Sequence, residues 1–198
     1  LSTPVHAVRL AGCGLVGSGR ALAGKTVAIL GAGTIGLLTL VAARHAGAAR
    51  IAVSDVLPAK RDLARKLGAD SVHDATAAGV VAAIRNDLGT SADVVFDCVA
   101  IQQSVDQAIG IALKGGTVVV VGVPAAPVTV PLPEIQDCQV RIQGSATYTR
   151  EDVRRAIDML RSGVLDPDDF VTARYPFTEV AEAFAEASSG RQVKVVVT

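Results

Sequence analysis

The tightest constraint on this chain is the stretch from Lys25 to Gly36, KTVAILGAGTIG. An apolar run, Thr26 to Leu30, fits a buried parallel strand and leads straight into Gly31-Ala32-Gly33-Thr34-Ile35-Gly36. Leu37 to Ala46 then reads as a helix, so strand, glycine turn and helix follow in the order a dinucleotide site requires. Gly31 permits a tight turn, Gly33 lets backbone approach a pyrophosphate, and Gly36 lets the helix lie close to the strand. Amide groups at the helix start face the phosphates.

In a chain with 19 glycines this spacing alone is a weak signal. Its context strengthens it. A second apolar run, Arg50 to Ser54, ends at Asp55, about twenty residues beyond the last glycine of the turn. A carboxylate there accepts both ribose hydroxyls and repels a 2′-phosphate, so NAD is expected over NADP.

At 198 residues the chain can form one substantial domain with a small appendage. Half of its residues are apolar, yet glycines and charges interrupt every run before it reaches membrane length. Nineteen basic and nineteen acidic residues cancel, so no global field recruits nucleic acid or an anionic membrane. The start, Leu1 to His6, carries neither a basic leader nor an apolar signal core. Cys13, Cys98 and Cys138 are scattered and lack metal-ligand spacing, as expected of reduced thiols in a cytoplasmic protein.

The rest of the chain repeats the alternation. A helix capped at Ser2 or Thr3 runs through His6, Val8 and Leu10 to the glycines at 12 and 14, with no strand before it, as at a domain border. His6 reads as a surface or packing residue. A helix over Leu57–Leu67 carries Lys60, Arg61, Arg65 and Lys66 on a solvated face, although Lys60 or Arg61 also lies close enough in sequence to approach the adenosine ribose. Ser71–His73 is a short third strand. A helix over Ala77–Leu88 is expected to be capped by Asp74 or Thr76 and ended by Gly89.

Asp93–Asp97 is the fourth strand, with Cys98-Val99-Ala100 at the carboxyl end where ligands of open parallel sheets collect. With no histidine nearby in sequence, Cys98 reads as packing rather than as a nucleophile. Asp97 reads as an acceptor for backbone or ribose hydroxyls. A helix over Ile101–Leu113 and a turn at Lys114–Gly116 lead into Thr117–Val121, a β-branched run typical of a central strand. Gly122 either turns the chain or admits the nicotinamide end of the cofactor. A proline-rich connection precedes a sixth strand, Gln139–Gln143, and the second half lacks a full crossover helix. The most economical fold is a Rossmann-type doubly wound α/β sheet of order 3-2-1-4-5-6.

Beyond Gly144 an amphipathic helix, Arg150–Arg161, is followed by extended segments at 170–171 and 174–175. A helix over Thr178–Ala187 has Thr178 as its cap and Phe184 on its apolar side, and a strand over Gln192–Val197 closes the chain. These short strands need neighbours, expected from a further domain or a second subunit. The expected division is 1–24 as a linking helix and loop, 25–145 as the dinucleotide-binding core, and 146–198 as helices and short strands that complete it.

Several of these stretches carry a resemblance: GAGTIG at 31–36, the Asp55 strand end, Lys66-Leu67-Gly68-Ala69-Asp70, Phe96-Asp97-Cys98-Val99, Gly115-Gly116 and Gly144-Ser145. Pro176-Phe177, Glu182-Ala183-Phe184 and Gly190 to Val195 add to it. The chain resembles the cofactor-binding half of the medium-chain, zinc-type alcohol and polyol dehydrogenases, with sorbitol and threonine dehydrogenases among the closer-looking relatives. The resemblance implies pyrophosphate contacts from Thr34 and Ile35, ribose contacts from Asp55 and Lys60, and cofactor contacts from Cys98, Val99 and Ala100. It also implies nicotinamide packing by Gly122, Val123 and Ser145, and a pyrophosphate contact from Lys194, whose other reading is an edge-strand charge. It further implies hydride exchange between an alcohol or polyol and NAD, with the zinc ligands in an amino-terminal catalytic domain outside this chain. The chain by itself is then expected to be inactive. Homodimers pairing an edge strand at 140–143 are expected too. Two alternatives stay open: an autonomous NAD-binding or sensing protein without turnover, and a domain of a zinc-independent NAD(P)H quinone or enoyl reductase.

Overall fold

A computed structural model describes residues 1–12 and 21–198. Cys13 and most of the expected connection from Gly14 to Gly24 lie outside the described residues. The chain divides into two compact units, Leu1–Ala156 and Ile157–Thr198.

The first unit carries a six-stranded parallel sheet of order β3-β2-β1-β4-β5-β6. Its strands are β1 (Thr26–Leu30), β2 (Arg50–Asp55), β3 (Ser71–Asp74), β4 (Ala92–Asp97), β5 (Ala112–Val120) and β6 (Arg141–Gly144). Interleaved are α1 (Ser2–Ala11), α2 (Thr34–His45), α3 (Pro58–Lys66), α4 (Val80–Leu88), α5 (Gln102–Ile111) and α6 (Leu132–Cys138). Val27 to Leu30 are all buried, as a strand covered on both faces must be. On one face Ala28, Leu30, Ala52, Val95 and Val118 join Ile84 and Leu88 of α4 and Ala108 and Ile111 of α5 in a single core. The opposite face meets α2, where a Cβ on Gly36 would lie 3.6 Å from Ile29 Cγ2. Residues 36 to 43 are buried throughout, because α2 lies between the sheet and α1.

Several elements depart from the sequence expectation. Helix α2 starts at Thr34, three residues early, so Gly36 sits inside its first turn. Helix α4 starts at Val80 after Gly79 in the left-handed region, and Asp74 instead accepts the Thr76 N–H at 2.9 Å in a local turn. The turn at Lys114–Gly116 is a bulge within β5: Ala92 pairs with Ala112, but Val94 pairs with Thr117. A crossover helix, α6, does precede β6. Pro131 and Pro133, read as connection, flank and occupy its first turn, where proline's missing N–H costs no helix bond. Gln139, at φ 53°, ends that helix and delays β6 to Arg141.

Helix α7 (Arg150–Arg161) runs across the border between the units. In the second unit, β7 (Val171–Tyr175) and β8 (Lys194–Val197) pair in parallel, joined through α8 (Val180–Ser188). These strands are thus each other's neighbours. Helix α8 begins after a 3-10 turn, Phe177–Glu179, and no side chain caps it, so Thr178 is not its cap. Phe184 is 70% exposed rather than facing an apolar core.

Candidate cofactor site

Because the sheet is parallel, the carboxyl ends of its strands share one edge. Gly31, Gly33, Thr34, Ile35 and Gly36 follow β1, Asp55 ends β2, Cys98, Val99 and Ala100 follow β4, Gly122 and Val123 follow β5, and Ser145 follows β6. The order 3-2-1-4-5-6 reverses between β1 and β4, which opens a crevice beside the glycine turn.

Gly31 has φ 89°, and a Cβ there would lie 2.7 Å from Val99 Cγ2. A Cβ on Gly36 would lie 1.8 Å from the Gly31 carbonyl oxygen, so the helix start rests directly on the turn. At Gly33 a Cβ would meet nothing within 4 Å. That open side, with no side chain capping α2, leaves backbone facing the space where an anion would lie.

Asp55 connects the two strand ends. Its Oδ2 accepts the Ala32 N–H at 2.7 Å and its Oδ1 accepts the Leu57 N–H at 2.9 Å. Arg61 Nη1 donates to the Asp55 carbonyl at 2.8 Å and pairs with Asp74 at 3.3 Å, so it braces the β2–α3 turn. Lys60 is not a solvated surface charge as expected: it is 6% exposed. Burial lowers its pKa, opposed by the nearby Asp55 charge.

A cavity of about 210 Å³ opens beside Asp55, lined among others by Ser54, Val56, Ala75, Val99, Ile101 and Gln107. Gln103 and Gln107 both donate to the Ala75 carbonyl, at 3.2 and 2.9 Å. Ser54 is 1% exposed and its Oγ has no hydrogen-bond partner; Ser145 Oγ, at the end of β6, is also buried without one. Apart from Asp55, Gly31 and Val99, the sequence reading missed this cavity lining. For Ser54, Val56, Ala75 and Ile101 the available signal was position, since they sit at or just after the carboxyl ends of β2, β3 and β4, whereas Gln103 and Gln107 lie within α5.

Asp97 is fully buried and accepts Val99 N–H at 3.0 Å, Ala100 N–H at 2.9 Å and Ser104 Oγ–H at 3.0 Å. It is therefore a backbone acceptor that holds Ala100 at φ 61°, with no face left for a ribose. Burial pushes the Cys98 thiol up to about 12, with the Asp97 charge adding to that and a Thr39 hydrogen bond opposing it. A thiol so hard to ionise is a poor nucleophile. Gly122 sits so close to the preceding loop that a Cβ would lie 2.7 Å from the Val99 carbonyl carbon, and Val123 is 90% exposed. Lys194 lies in the second unit, where it begins β8 opposite Val171.

His6 is bound to the buried Asp152 at 2.8 Å, and His73 lies 3.4 Å from Asp87 with its pKa lowered by burial. Among the described residues no group of three or more His, Cys, Asp or Glu side chains could hold a metal ion. Among them, too, no helix is long and apolar enough to cross a membrane.

Residues 34–162 match the family described as zinc-binding dehydrogenase. The chain is 31% identical to sorbitol dehydrogenase of Bos taurus, covering 100% of this chain and 54% of that protein. It is 34% identical to L-idonate 5-dehydrogenase of Vitis vinifera, covering 99% of this chain and 53% of that one. A Sinorhizobium meliloti protein solved bound to NADP superposes with a TM-score of 0.85 and 34% identity, covering 100% of this chain and 58% of the other. The chain spans about half the length of the curated relatives it matches.

Proposed function

The chain belongs to the zinc-binding dehydrogenase family, and we propose that it forms the cofactor-binding part of an NAD-dependent polyol dehydrogenase. The observation that carries this reading is the junction at the switch point. There the glycine turn leaves space at Gly33, and Asp55 holds that turn through Ala32.

The residues present fit a dinucleotide. The start of α2 faces a pyrophosphate across the open side of Gly33, with Thr34 and Ile35 beside it. A carboxylate offers about four lone-pair sites. Two of those on Asp55 are taken by backbone N–H groups, which leaves acceptors for the two ribose hydroxyls. The orphan hydroxyls of Ser54 and Ser145 lie near the two ends of the crevice, where a bound molecule can satisfy them. Val99, Gly122, Val123 and Ser145 lie on the β4–β6 side, towards the nicotinamide. Lys60 adds positive charge near Asp55. When bound, the dinucleotide accepts or gives a hydride at the nicotinamide ring; the chain's part is to hold and orient it.

The Sinorhizobium protein was solved with NADP. Asp55 argues for the other cofactor here, because its carboxylate opposes a 2′-phosphate. The zinc for which the family is named finds no ligand set among the described residues. In this reading its ligands fall in the part of the longer relatives that this chain does not span. A polyol or related alcohol as substrate follows from the sorbitol and L-idonate dehydrogenases that the chain resembles. The edge strand β6 is the proposed contact for a homodimer through 140–143, and the free thiols of Cys98 and Cys138 fit a reducing cytoplasm.

Calorimetry of the chain with NAD and NADP tests the reading. NAD binding with a clear preference over NADP is expected. Binding of neither, or a preference for NADP, counts against it.

A further inference from the structure

The carboxylate of Asp152 is fully buried and held by several hydrogen bonds. Arg9 Nε donates to Oδ1 at 2.9 Å, and Arg9 Nη2 reaches Oδ2 at 3.3 Å. Oδ2 also accepts the Thr149 N–H at 2.8 Å and the Thr149 hydroxyl at 2.7 Å, and lies 2.8 Å from His6 Nδ1. In return, Thr149 Oγ1 accepts the Asp152 N–H at 3.3 Å, a reciprocal cap over the first turn of α7. His6 Nδ1 also lies 2.9 Å from Arg9 Nη2, so Asp152, His6 and Arg9 form one closed cluster.

Burial alone would raise the pKa of Asp152, but hydrogen bonds from Arg9, Thr149 and His6 outweigh it and hold the group well below the usual carboxylate range. A buried ion pair is a costly way to add stability, since apolar residues of the same volume often do as well; its best-attested use is to fix register. This one ties Thr149, at the start of α7, to His6 and Arg9 of α1. Between β6 and α7, Ser145 donates its N–H to the Val120 carbonyl at 2.9 Å and keeps a buried, unpartnered hydroxyl. Thr147 holds φ 57°, a conformation that a β-branched residue keeps only where its surroundings enforce it.

In a sheet of this order a dinucleotide crosses the switch point. With its adenosine at Asp55, its second nucleotide lies over the ends of β4, β5 and β6. This step rests on the cofactor reading given above. We propose that Asp152 is a positioning residue for the nicotinamide half of the cofactor: bound by His6 and Arg9 of α1, it holds the 144–149 turn, and with it Ser145, at the ends of β5 and β6.

ADP-ribose, which lacks the nicotinamide ring, separates this role from general stability. Calorimetry with ADP-ribose and with NAD is run on the chain and on Asp152→Asn, His6→Ala and His6→Asn, with circular dichroism to verify folding. Asp152→Asn is expected to keep ADP-ribose affinity within about twofold while NAD affinity falls about tenfold. His6→Ala is expected to lose about threefold for NAD alone, and His6→Asn, whose amide nitrogen can take the place of Nδ1, to recover it. Equal losses for both ligands, or no loss for either, overturn the proposal. If Asp152→Asn does not fold, the two His6 variants decide by the same comparison. An unmutated chain that binds ADP-ribose as tightly as NAD overturns the positioning role and leaves the cofactor reading standing. A chain that binds neither overturns the cofactor reading as well.

Discussion

Asp55 Oδ2 accepts the Ala32 N–H at 2.7 Å, so the residue that ends β2 also holds the turn that ends β1. The carboxylate proposed to read the ribose is therefore part of the frame that shapes the phosphate turn. Replacing it with alanine removes both functions. The Ala32 and Leu57 amides lose their acceptor, at a cost of about 1–3 kcal/mol for each group left buried. Asp55→Ala is expected to lower the melting temperature and to weaken NAD binding about a hundredfold, more than loss of the ribose contacts alone would do. Asp55→Asn keeps one oxygen, so the Ala32 or the Leu57 amide loses its acceptor, and it removes the charge; it should cost less stability than Asp55→Ala and narrow the NAD-to-NADP ratio. Calorimetry with both cofactors, alongside thermal melts, checks this. An Asp55→Asn ratio equal to that of the unmutated chain would sink the charge argument.

Gly36 tests the helix-on-turn contact. A Cβ at 1.8 Å from the Gly31 carbonyl cannot be accommodated by moving a side chain, because the atom it meets is backbone. Gly36→Ala must push α2 away from the turn, although alanine is the better helix former by about 1 kcal/mol. The expected outcome is a folded but less stable chain with no measurable NAD binding. Gly68, where a Cβ meets nothing but φ is 96°, is the control: Gly68→Ala should cost stability through its backbone alone and leave NAD affinity unchanged. Retained NAD affinity in Gly36→Ala would refute the contact as a determinant of the site.

The sheet order and the ring of residues at its carboxyl edge were legible in the sequence because each rests on a local pattern: an apolar run, a glycine spacing, an acid at a strand end. What was not legible depends on tertiary pairing. Lys60 sits among Arg61, Arg65 and Lys66 on a helix that reads as a charged face, and only the packing around α3 shows that it is buried. Helix α6 was hidden because four prolines between 124 and 133 read as connection, whereas proline belongs in a helix's first turn. Ser54 looked like one polar residue in a β-run, and its orphan hydroxyl becomes visible only once α5 and the loop after β3 enclose it. His6 and Asp152, far apart in the chain, carry no shared local signal at all.

Asp97 separates a structural acid from a chemical one. Its oxygens accept from Val99, Ala100 and Ser104 and the side chain is fully buried, so no substrate reaches it to give up a proton. Asp97→Asn retains the Oδ1 acceptor for both backbone amides and is expected to cost about 1 kcal/mol in urea unfolding while leaving NAD affinity within about threefold. Asp97→Ala strands those amides and should cost about 3 kcal/mol or more, loosening the turn where Ala100 sits at φ 61°. A loss of NAD binding in the asparagine variant that is as complete as in the alanine variant would show that the charge itself is needed.

The acid limb of stability is the last test, and its sign follows from Asp152. The pKa of this group is lowered in the folded chain, so the unfolded chain binds more protons on the acid side and stability must fall as pH drops. Its contribution is complete above the unfolded carboxylate value of about 3.9 and is lost as pH falls towards the lower folded value. Asp93 is lowered too: burial opposes that shift, and its bonds from Thr26 and Lys25 drive it. Asp74 and Glu186 are lowered as well, through bonds from Thr76 and from Arg191 and Gln192, so a simple acid titration mixes all four groups. Comparing chains with and without Asp152→Asn isolates Asp152, because the other three are present in both and subtract out. With His6→Asn in both chains, so that no imidazole bound to Asp152 titrates in this range, the urea midpoint of the chain with Asp152 should exceed that of Asp152→Asn by a constant margin between about pH 5 and 7, and the gap should close below about pH 4. Arg9 stays charged across this range and adds no slope of its own. A gap that widened on acidification would mean that Asp152 is more basic in the folded chain than in the unfolded one, contrary to the hydrogen bonds it accepts from Arg9 and Thr149.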